Sequence, residues 1–152
     1  MKKICFAASS GGHFEQLMML KPLMEKCESF ILTEETQYAT SKDEIEQYYL
    51  KQINRKEFNM IFKFIVNTIL SLIIFIKKRP DVVVSTGVLA TIPMCMIAKM
   101  FGKKLIYIES FAKINSPTLT GKLLYKYADQ FYIQWEELRA FYPNAIYKGG
   151  IY

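Results

Sequence analysis

The stretch KICFAASSGGHFEQLMML, residues 3–20, decides the fold of this chain. An apolar run at Lys3–Ala8 is followed by two serines, two glycines and a histidine, and then by apolar residues at helical spacing. This order predicts a buried strand, a tight loop and a helix. The same order recurs downstream, where it predicts an all-apolar strand at 81–85 and a helix at 90–101.

The rest of the chain continues this alternation. Strands are predicted at 29–33, 104–108 and 130–134, and helices at 119–128 and 135–142. The polar stretch 34–57 is predicted to be a loop with a short strand near 48–51, and Pro22 is expected to kink or divide the first helix. We therefore predict one α/β domain over residues 1–152, with a Rossmann-like parallel sheet covered by helices on both faces.

Composition narrows the function classes. The chain has 152 residues, of which 51% are hydrophobic, so it can bury a core as one domain. Its net charge of +6 favours binding to phosphates, anionic lipids or nucleic acid and does not distinguish among these partners. Cys5, Cys27 and Cys95 form no CxxC pair, which predicts buried, reduced thiols in a cytosolic protein. With a single histidine and no Cys/His cluster, we expect no metal site.

The most hydrophobic segment is a predicted helix over about residues 58–77. Its uncharged part, 64–76, is shorter than the roughly 20 residues that a spanning helix needs. Apolar residues occupy nearly all its sides and basic residues flank it, which favours a helix on or in a membrane surface over a buried core helix or a true span. The expected lipid-contacting residues are Phe64, Ile65, Ile69, Leu72, Ile73, Ile76, Lys77, Lys78 and Arg79.

Polar residues follow three of the predicted strands, at the edge where open α/β sheets bind ligands. The groups are Ser9, Ser10, Gly11, Gly12 and His13; Ser85, Thr86 and Gly87; and Glu109 and Ser110, with Asn115 nearby. The first loop is predicted to hold a diphosphate, because glycines admit a ligand to the backbone and a helix N-terminus favours anions. A turn needed only for packing is the alternative. The loop is not GxGxxG, and no acidic residue is expected at the end of the second strand, so a dinucleotide site is not predicted.

Two side chains in these groups are candidates for acid–base chemistry. A neutral imidazole at His13 could accept a proton from a sugar hydroxyl or donate a hydrogen bond to phosphate. Glu109 ends an apolar strand, where a buried carboxylate is costly unless it is paired or used. A structural role stays open for both residues.

Four motifs together resemble a known family. They are SSGGHFEQLMML, PDVVVSTG, LIYIES, and YADQFYIQW followed by FYPNAIYKGG. Their order and spacing are similar to those of PssD/EpsE-type accessory subunits of two-component glycosyltransferases, which serve bacterial capsule and exopolysaccharide synthesis. That family is related to the membrane subunit of the eukaryotic dolichol-linked N-acetylglucosaminyltransferase and, more distantly, to the N-terminal half of MurG.

The resemblance implies a GT-B N-terminal-type domain on the cytoplasmic face of the cell membrane. This half would hold a polyprenyl-diphosphate-linked sugar, such as an undecaprenyl diphosphate derivative, and a separate donor-binding subunit would supply a UDP-sugar. The expected partners are thus that subunit, the lipid-linked acceptor and membrane lipids, with no nucleic acid and no cofactor.

The resemblance also implies an inverting transfer and little activity of the chain alone. His13 would be the first candidate for the base and Glu109 the second. Ile108 and Ser110 flank that glutamate, where MurG-like enzymes carry a His-Glu-Gln-Asn run. Two other functions stay open: a non-catalytic scaffold that recruits and activates a partner transferase, and an independent nucleotide-binding enzyme.

Overall fold

The computed structural model describes residues 1–36 and 44–152. Within these residues the strands are β1 (Lys3–Ala8), β2 (Glu28–Glu34), β3 (Gln47–Leu50), β4 (Val82–Gly87), β5 (Lys104–Ile108), β6 (Gln130–Ile133) and β7 (Ile146–Tyr147). They form one parallel sheet in the order β3-β2-β1-β4-β5-β6-β7. The strand order reverses between β1 and β4, so the sheet is doubly wound and the predicted fold class is confirmed.

Helices cover both faces of this sheet. They are α1 (Gly12–Met18), α2 (Lys21–Met24), α3 (Met60–Lys78), α4 (Ile92–Met100) and α5 (Leu119–Leu124), with 3₁₀ turns at Leu89–Thr91 and Glu136–Ala140. Alternate residues of β1 show the two layers: Cys5 and Ala7 pack with α3, α4 and α5, whereas Phe6 and Ala8 pack with α1 and α2.

The predicted element boundaries hold in part. Pro22 divides the first helical segment, because it sits in the first turn of α2, where its missing N–H costs no hydrogen bond. The strand expected near 48–51 is β3, while residues 37–43 of the predicted loop lie outside the described residues. The predictions for 119–128 and 135–142 were too long, because α5 ends at Leu124 and the second segment is a 3₁₀ turn. The two-residue edge strand β7 was not predicted, since it has no apolar run of its own.

The thiols differ in burial. Cys5 and Cys95 are fully buried, and burial raises the pKa of Cys95 to about 12. Cys27 is only partly buried at the end of α2, where its thiol donates to the carbonyl of Leu23. The expectation of buried thiols is therefore correct for two cysteines and wrong for Cys27, which lies beyond the last turn of a surface helix.

The hydrophobic segment forms α3, a helix of 19 residues that ends at Arg79 in the left-handed conformation. At about 1.5 Å per residue it is about 28 Å long, so among the described residues it is the helix long and apolar enough to cross a membrane. The buried side of α3 faces α4 and the sheet and includes Asn67, Ser71, Ile74 and Phe75. Its exposed stripe consists of Ile61, Phe62, Ile65, Ile69, Leu72, Ile73 and Ile76, whereas Phe64 is half-buried.

Candidate functional site

The sheet topology brings the first two predicted groups together. Ala8 of β1 lies beside Gly87 of β4, and the backbone N–H of Ser9 donates to the Gly87 carbonyl at 2.7 Å. The N–H of Val88 donates in turn to the Ser9 hydroxyl at 2.9 Å. The loops that follow β1 and β4 therefore form one site at the point where the strand order reverses, the usual ligand position in an open α/β sheet.

His13 is held at this site by two reciprocal hydrogen bonds with Thr86. Its Nδ1 lies 2.9 Å from the Thr86 carbonyl oxygen, and the Thr86 hydroxyl donates to the His13 carbonyl at 2.7 Å. Because a carbonyl oxygen only accepts, Nδ1 must carry a hydrogen. In the neutral ring this leaves Nε2 with a free lone pair, and the ring is only half-buried. The arrangement suits a group that accepts a proton from a bound hydroxyl.

The backbone conformation requires glycine at some positions near His13 and not at others. Gly11 has a φ of 78° and Gly87 a φ of 95°, conformations that favour glycine. Gly12 has an ordinary helical backbone, and a Cβ placed on it would meet no described atom within 4 Å. The fold therefore gives no steric reason for Gly12, which is exposed and beside the histidine. Because α1 has only seven residues, its dipole adds less than the sequence pattern suggested.

Several predicted ligand-binding side chains are buried and already paired. Ser9, Ser85, Thr86 and Ser110 are all buried. The Ser85 hydroxyl, for example, accepts from the Gly87 N–H at 3.0 Å. These side chains hold the loops in place, while the predicted residues with exposed or half-exposed surface are Ser10, Gly11, Gly12, His13 and Asn115.

Glu109 is fully buried, and its carboxylate accepts four hydrogen bonds. One oxygen accepts from the Ser110 N–H at 2.9 Å and the Thr118 hydroxyl at 2.8 Å. The other accepts from the Thr118 N–H at 3.1 Å and the Tyr142 hydroxyl at 2.6 Å. Burial and this bond to the carboxylate raise the pKa of Tyr142 well above its usual value, so the phenol remains a donor. Both oxygens of Glu109 are thus occupied in holding the loop that follows β5.

The sequence prediction missed a second buried carboxylate, Glu34. Strand β2 extends one residue beyond the predicted end and closes on this glutamate, so an acidic residue does stand at the end of the second strand. The carboxylate accepts from the N–H and hydroxyl of Ser10 at 3.1 and 2.9 Å, and from the N–H of Ile53 at 3.2 Å. It points to the loop before His13 and is occupied there. An acidic residue directly after an apolar strand was the signal that could have found it.

Two buried glutamines join the site to the end of the chain, and they too were missed. The Gln16 side-chain oxygen accepts from the Phe111 N–H at 3.0 Å and from the Gln134 amide at 2.9 Å. The Gln134 oxygen accepts from the Ile151 N–H at 2.8 Å. No sequence pattern marks these residues, because a polar residue on a helix or at a strand end is usually solvated.

Comparison with known proteins shows the family to which this chain belongs. The family model for "Oligosaccharide biosynthesis protein Alg14 like" matches residues 4–151. The chain belongs to the Alg14-like family. The human UDP-N-acetylglucosamine transferase subunit ALG14 is 25% identical over an aligned length of 179 residues, gaps included, and the match covers 97% of this chain and 82% of the human protein. Its Schizosaccharomyces pombe counterpart is 39% identical over 75 residues, which cover 46% of this chain and 36% of that protein.

Solved structures share the fold at lower identity. MurG of Acinetobacter baumannii superposes with a TM-score of 0.76 at 18% identity, over 90% of this chain and 43% of MurG. UDP-N-acetylglucosamine 2-epimerase of Rickettsia bellii gives 0.77 at 11% identity, over 99% of this chain and 45% of the epimerase. This Alg14-like chain spans less than half of either protein, and it matches the Rossmann-like N-terminal half of MurG. The predicted relation to the eukaryotic transferase subunit is confirmed, as is the similarity in fold to the N-terminal half of MurG, and the PssD/EpsE assignment stays a prediction.

Proposed function

We propose that this chain is the acceptor-binding, membrane-associated subunit of a two-subunit inverting glycosyltransferase of capsule or exopolysaccharide synthesis. A separate donor-binding protein would present the UDP-sugar, and the acceptor would be a polyprenyl-diphosphate-linked saccharide. The observation that carries the proposal is His13, which is held through Nδ1 at the switch point of an Alg14-like chain and has no partner at Nε2 among the described residues. Because the human relative is named a UDP-N-acetylglucosamine transferase subunit, UDP-N-acetylglucosamine is the first donor to test.

In the proposed reaction His13 Nε2 takes the proton of the acceptor hydroxyl. The acceptor oxygen then attacks the anomeric carbon, the bond from that carbon to the UDP oxygen breaks, and UDP leaves with the electron pair. The attack inverts the configuration of the sugar. Exposed backbone at Gly11 and Gly12 gives the acceptor diphosphate room to approach, and Glu109 shapes the neighbouring loop from within the core.

The decisive experiment measures transfer of labelled sugar to a polyprenyl-diphosphate-linked acceptor by this chain and its donor-binding partner. His13→Asn keeps an amide N–H near the position of Nδ1, so it preserves the bond to Thr86 and removes Nε2. His13→Ala removes both. General-base catalysis contributes about 10²–10⁴-fold, so we expect each variant to lose at least about 100-fold in kcat. His13→Asn, which keeps the bond to Thr86, should also keep the wild-type melting temperature.

The controls separate catalysis from recruitment. Each subunit alone should show little transfer, and the pair should need the lipid-linked acceptor. If both His13 variants retain wild-type kcat, the chain does no chemistry at this position, and the scaffold function replaces the one proposed here.

The membrane part of the proposal places α3 along the cytoplasmic surface of the bilayer. Its exposed stripe can enter the lipid, while its opposite side is tied to the protein: Asn67 accepts from the Lys51 N–H at 2.7 Å and donates to the Lys51 carbonyl at 2.8 Å. A spanning helix would have to break these bonds and place the amide in hydrocarbon. Lys77 and Arg79 are exposed at the end of the helix, where they can meet anionic headgroups, whereas Lys78 pairs with Glu46.

A matched pair of substitutions tests this placement. Ile69 on the stripe is 54% exposed, and Leu23 in α2, on the opposite face of the sheet, is 48% exposed. Burial of an isoleucine contributes about 1.5–3 kcal/mol, so Ile69→Glu should lower binding to phosphatidylglycerol vesicles at least about tenfold. Leu23→Glu should leave sedimentation with the vesicles unchanged. Equal losses, or a wild-type chain that never sediments, would contradict the placement.

A further inference from the structure

The buried carboxylate of Glu34 links the candidate acceptor loop to a segment on the other side of β2. Only 6% of the residue is exposed. One carboxylate oxygen accepts both the N–H and the hydroxyl of Ser10, directly before the Gly11 turn. The other accepts the N–H of Ile53, in the segment that follows β3. A single side chain thus bridges these two parts of the backbone.

The segment that Glu34 holds is itself fixed to α3. Asn67, which has no exposed surface, bonds both the N–H and the carbonyl of Lys51. A continuous series of contacts therefore runs from α3 through residues 51–53 to Glu34, and from Glu34 to Ser10 and the loop that carries His13. The two side chains that bridge its segments, the Glu34 carboxylate and the Asn67 amide, have almost no contact with water.

Buried polar groups of this kind are costly to desolvate, and an apolar pair of similar size would fill the same space at lower cost. Their benefit is directional, since hydrogen bonds fix distance and orientation where apolar contacts do not. The reacting hydroxyl of a lipid-linked acceptor is held at a set height above the bilayer by its diphosphate and lipid tail. The group that receives its proton must stand at the same height.

We propose that Glu34 and Asn67 are positioning residues, which hold the His13 loop at a defined height above α3 and hence above the membrane. This inference rests on the function proposed above. It predicts that weakening either link moves His13 out of its correct position relative to the lipid-linked acceptor. Binding of the UDP-sugar should be unaffected.

The chain offers close controls for both links. In Glu34→Gln the new amide N–H₂ must face the N–H of either Ile53 or Ser10, so that two donors meet. The control Glu35→Gln changes an exposed glutamate at the next position. Asn67→Ala removes both bonds to residue 51. Ser71→Ala alters the same buried side of α3, where the hydroxyl has no hydrogen-bond partner among the described residues.

The first readout needs no catalysis. His13 is the only histidine in the sequence, so the ring nitrogen signals in the NMR spectrum of the untagged chain report on it alone. Glu34→Gln and Asn67→Ala should shift or broaden these signals, and the two control variants should leave them at their wild-type positions. Unchanged signals in both test variants would overturn the proposal. If Glu34→Gln does not fold, Ser10→Ala, which removes one bond to Glu34, takes its place.

The second readout is kinetic and uses the complete pair of subunits. We expect kcat/KM for the lipid-linked acceptor to fall about tenfold or more in the test variants, with KM for the UDP-sugar unchanged. Shifted spectra with wild-type kinetics would show that the links serve stability alone and would overturn the positioning role. A wild-type pair without transfer to any lipid-linked acceptor would instead count against the proposed function, because the spectral comparison does not depend on activity.

Discussion

Replacing Glu109 by glutamine separates a structural role from a chemical one at the second candidate base. The carboxylate accepts two donors on each oxygen, and one donor of each pair is a backbone N–H, from Ser110 or from Thr118. Glutamine must place its N–H₂ group at one of these oxygens. Because a backbone N–H cannot turn round, either orientation sets two donors against each other inside a fully buried site.

The cost can be estimated from these contacts. A buried donor left without an acceptor costs about 1–3 kcal/mol, and hydrogen bonds to a charged group contribute about 1.5–3 kcal/mol each. Glu109→Gln should therefore lower the free energy of unfolding by about 2–4 kcal/mol. With a urea m-value of about 2 kcal/mol/M, the unfolding midpoint should fall by about 1–2 M.

The assay is urea unfolding followed by tryptophan fluorescence, since Trp135 donates to the carbonyl of Phe111 in the loop that Glu109 holds. The exposed Glu137→Gln serves as the control and should keep the wild-type midpoint. At temperatures where the variant is folded, transfer activity with the partner subunit should stay within a few-fold of wild type. A wild-type midpoint combined with a loss of activity of about 100-fold would refute this reasoning and make Glu109 the base.

Three further predictions concern glycines and thiols. Gly12→Ala should leave the unfolding free energy unchanged or raise it by up to about 1 kcal/mol, because the added Cβ has open space. It should nevertheless lower kcat/KM for the lipid-linked acceptor, and an unchanged value would show that no ligand approaches Gly12. Gly121→Ala should lower Tm by about 5 °C or more in scanning fluorimetry, because the added Cβ would overlap a buried carboxylate oxygen, and a wild-type Tm would contradict that packing. A thiol reagent at pH 8 should modify Cys27 in the native chain and reach Cys5 and Cys95 only after unfolding, whereas rapid reaction of all three would contradict their burial.

Much of the fold was predictable because it rests on local pattern. Each apolar run followed by a turn and a helical segment became a strand and its crossover, and the α/β class follows from their alternation. The positions of the site loops were predictable for the same reason, since parallel strands end at one edge. The short elements were not: β7 has two residues, and only pairing with β6 makes them a strand.

The roles of individual polar residues at the site depended on distant partners. Ser9 is a predicted ligand-binding residue in the sequence, but in the structure its hydroxyl accepts a hydrogen bond from the Val88 N–H of the neighbouring loop, 79 positions away. Glu34 looks like the start of a polar loop, yet contacts with Ser10 and Ile53, 24 and 19 positions away, bury it. Such bonds are set by strand register and side-chain direction, which no local pattern records.

The sequence by itself determined a doubly wound domain, a hydrophobic helix with basic residues at its end, and a glycine-rich loop with one histidine at the carboxyl-end edge of the sheet. Only the tertiary structure decided which side of α3 faces outward, because that depends on the bonds between Asn67 and the backbone of Lys51. It also decided the tautomer of His13, because the Thr86 carbonyl comes from a strand more than seventy residues away. Periodicity is a local property of the chain, whereas the choice of hydrogen-bond partner is made when distant strands meet.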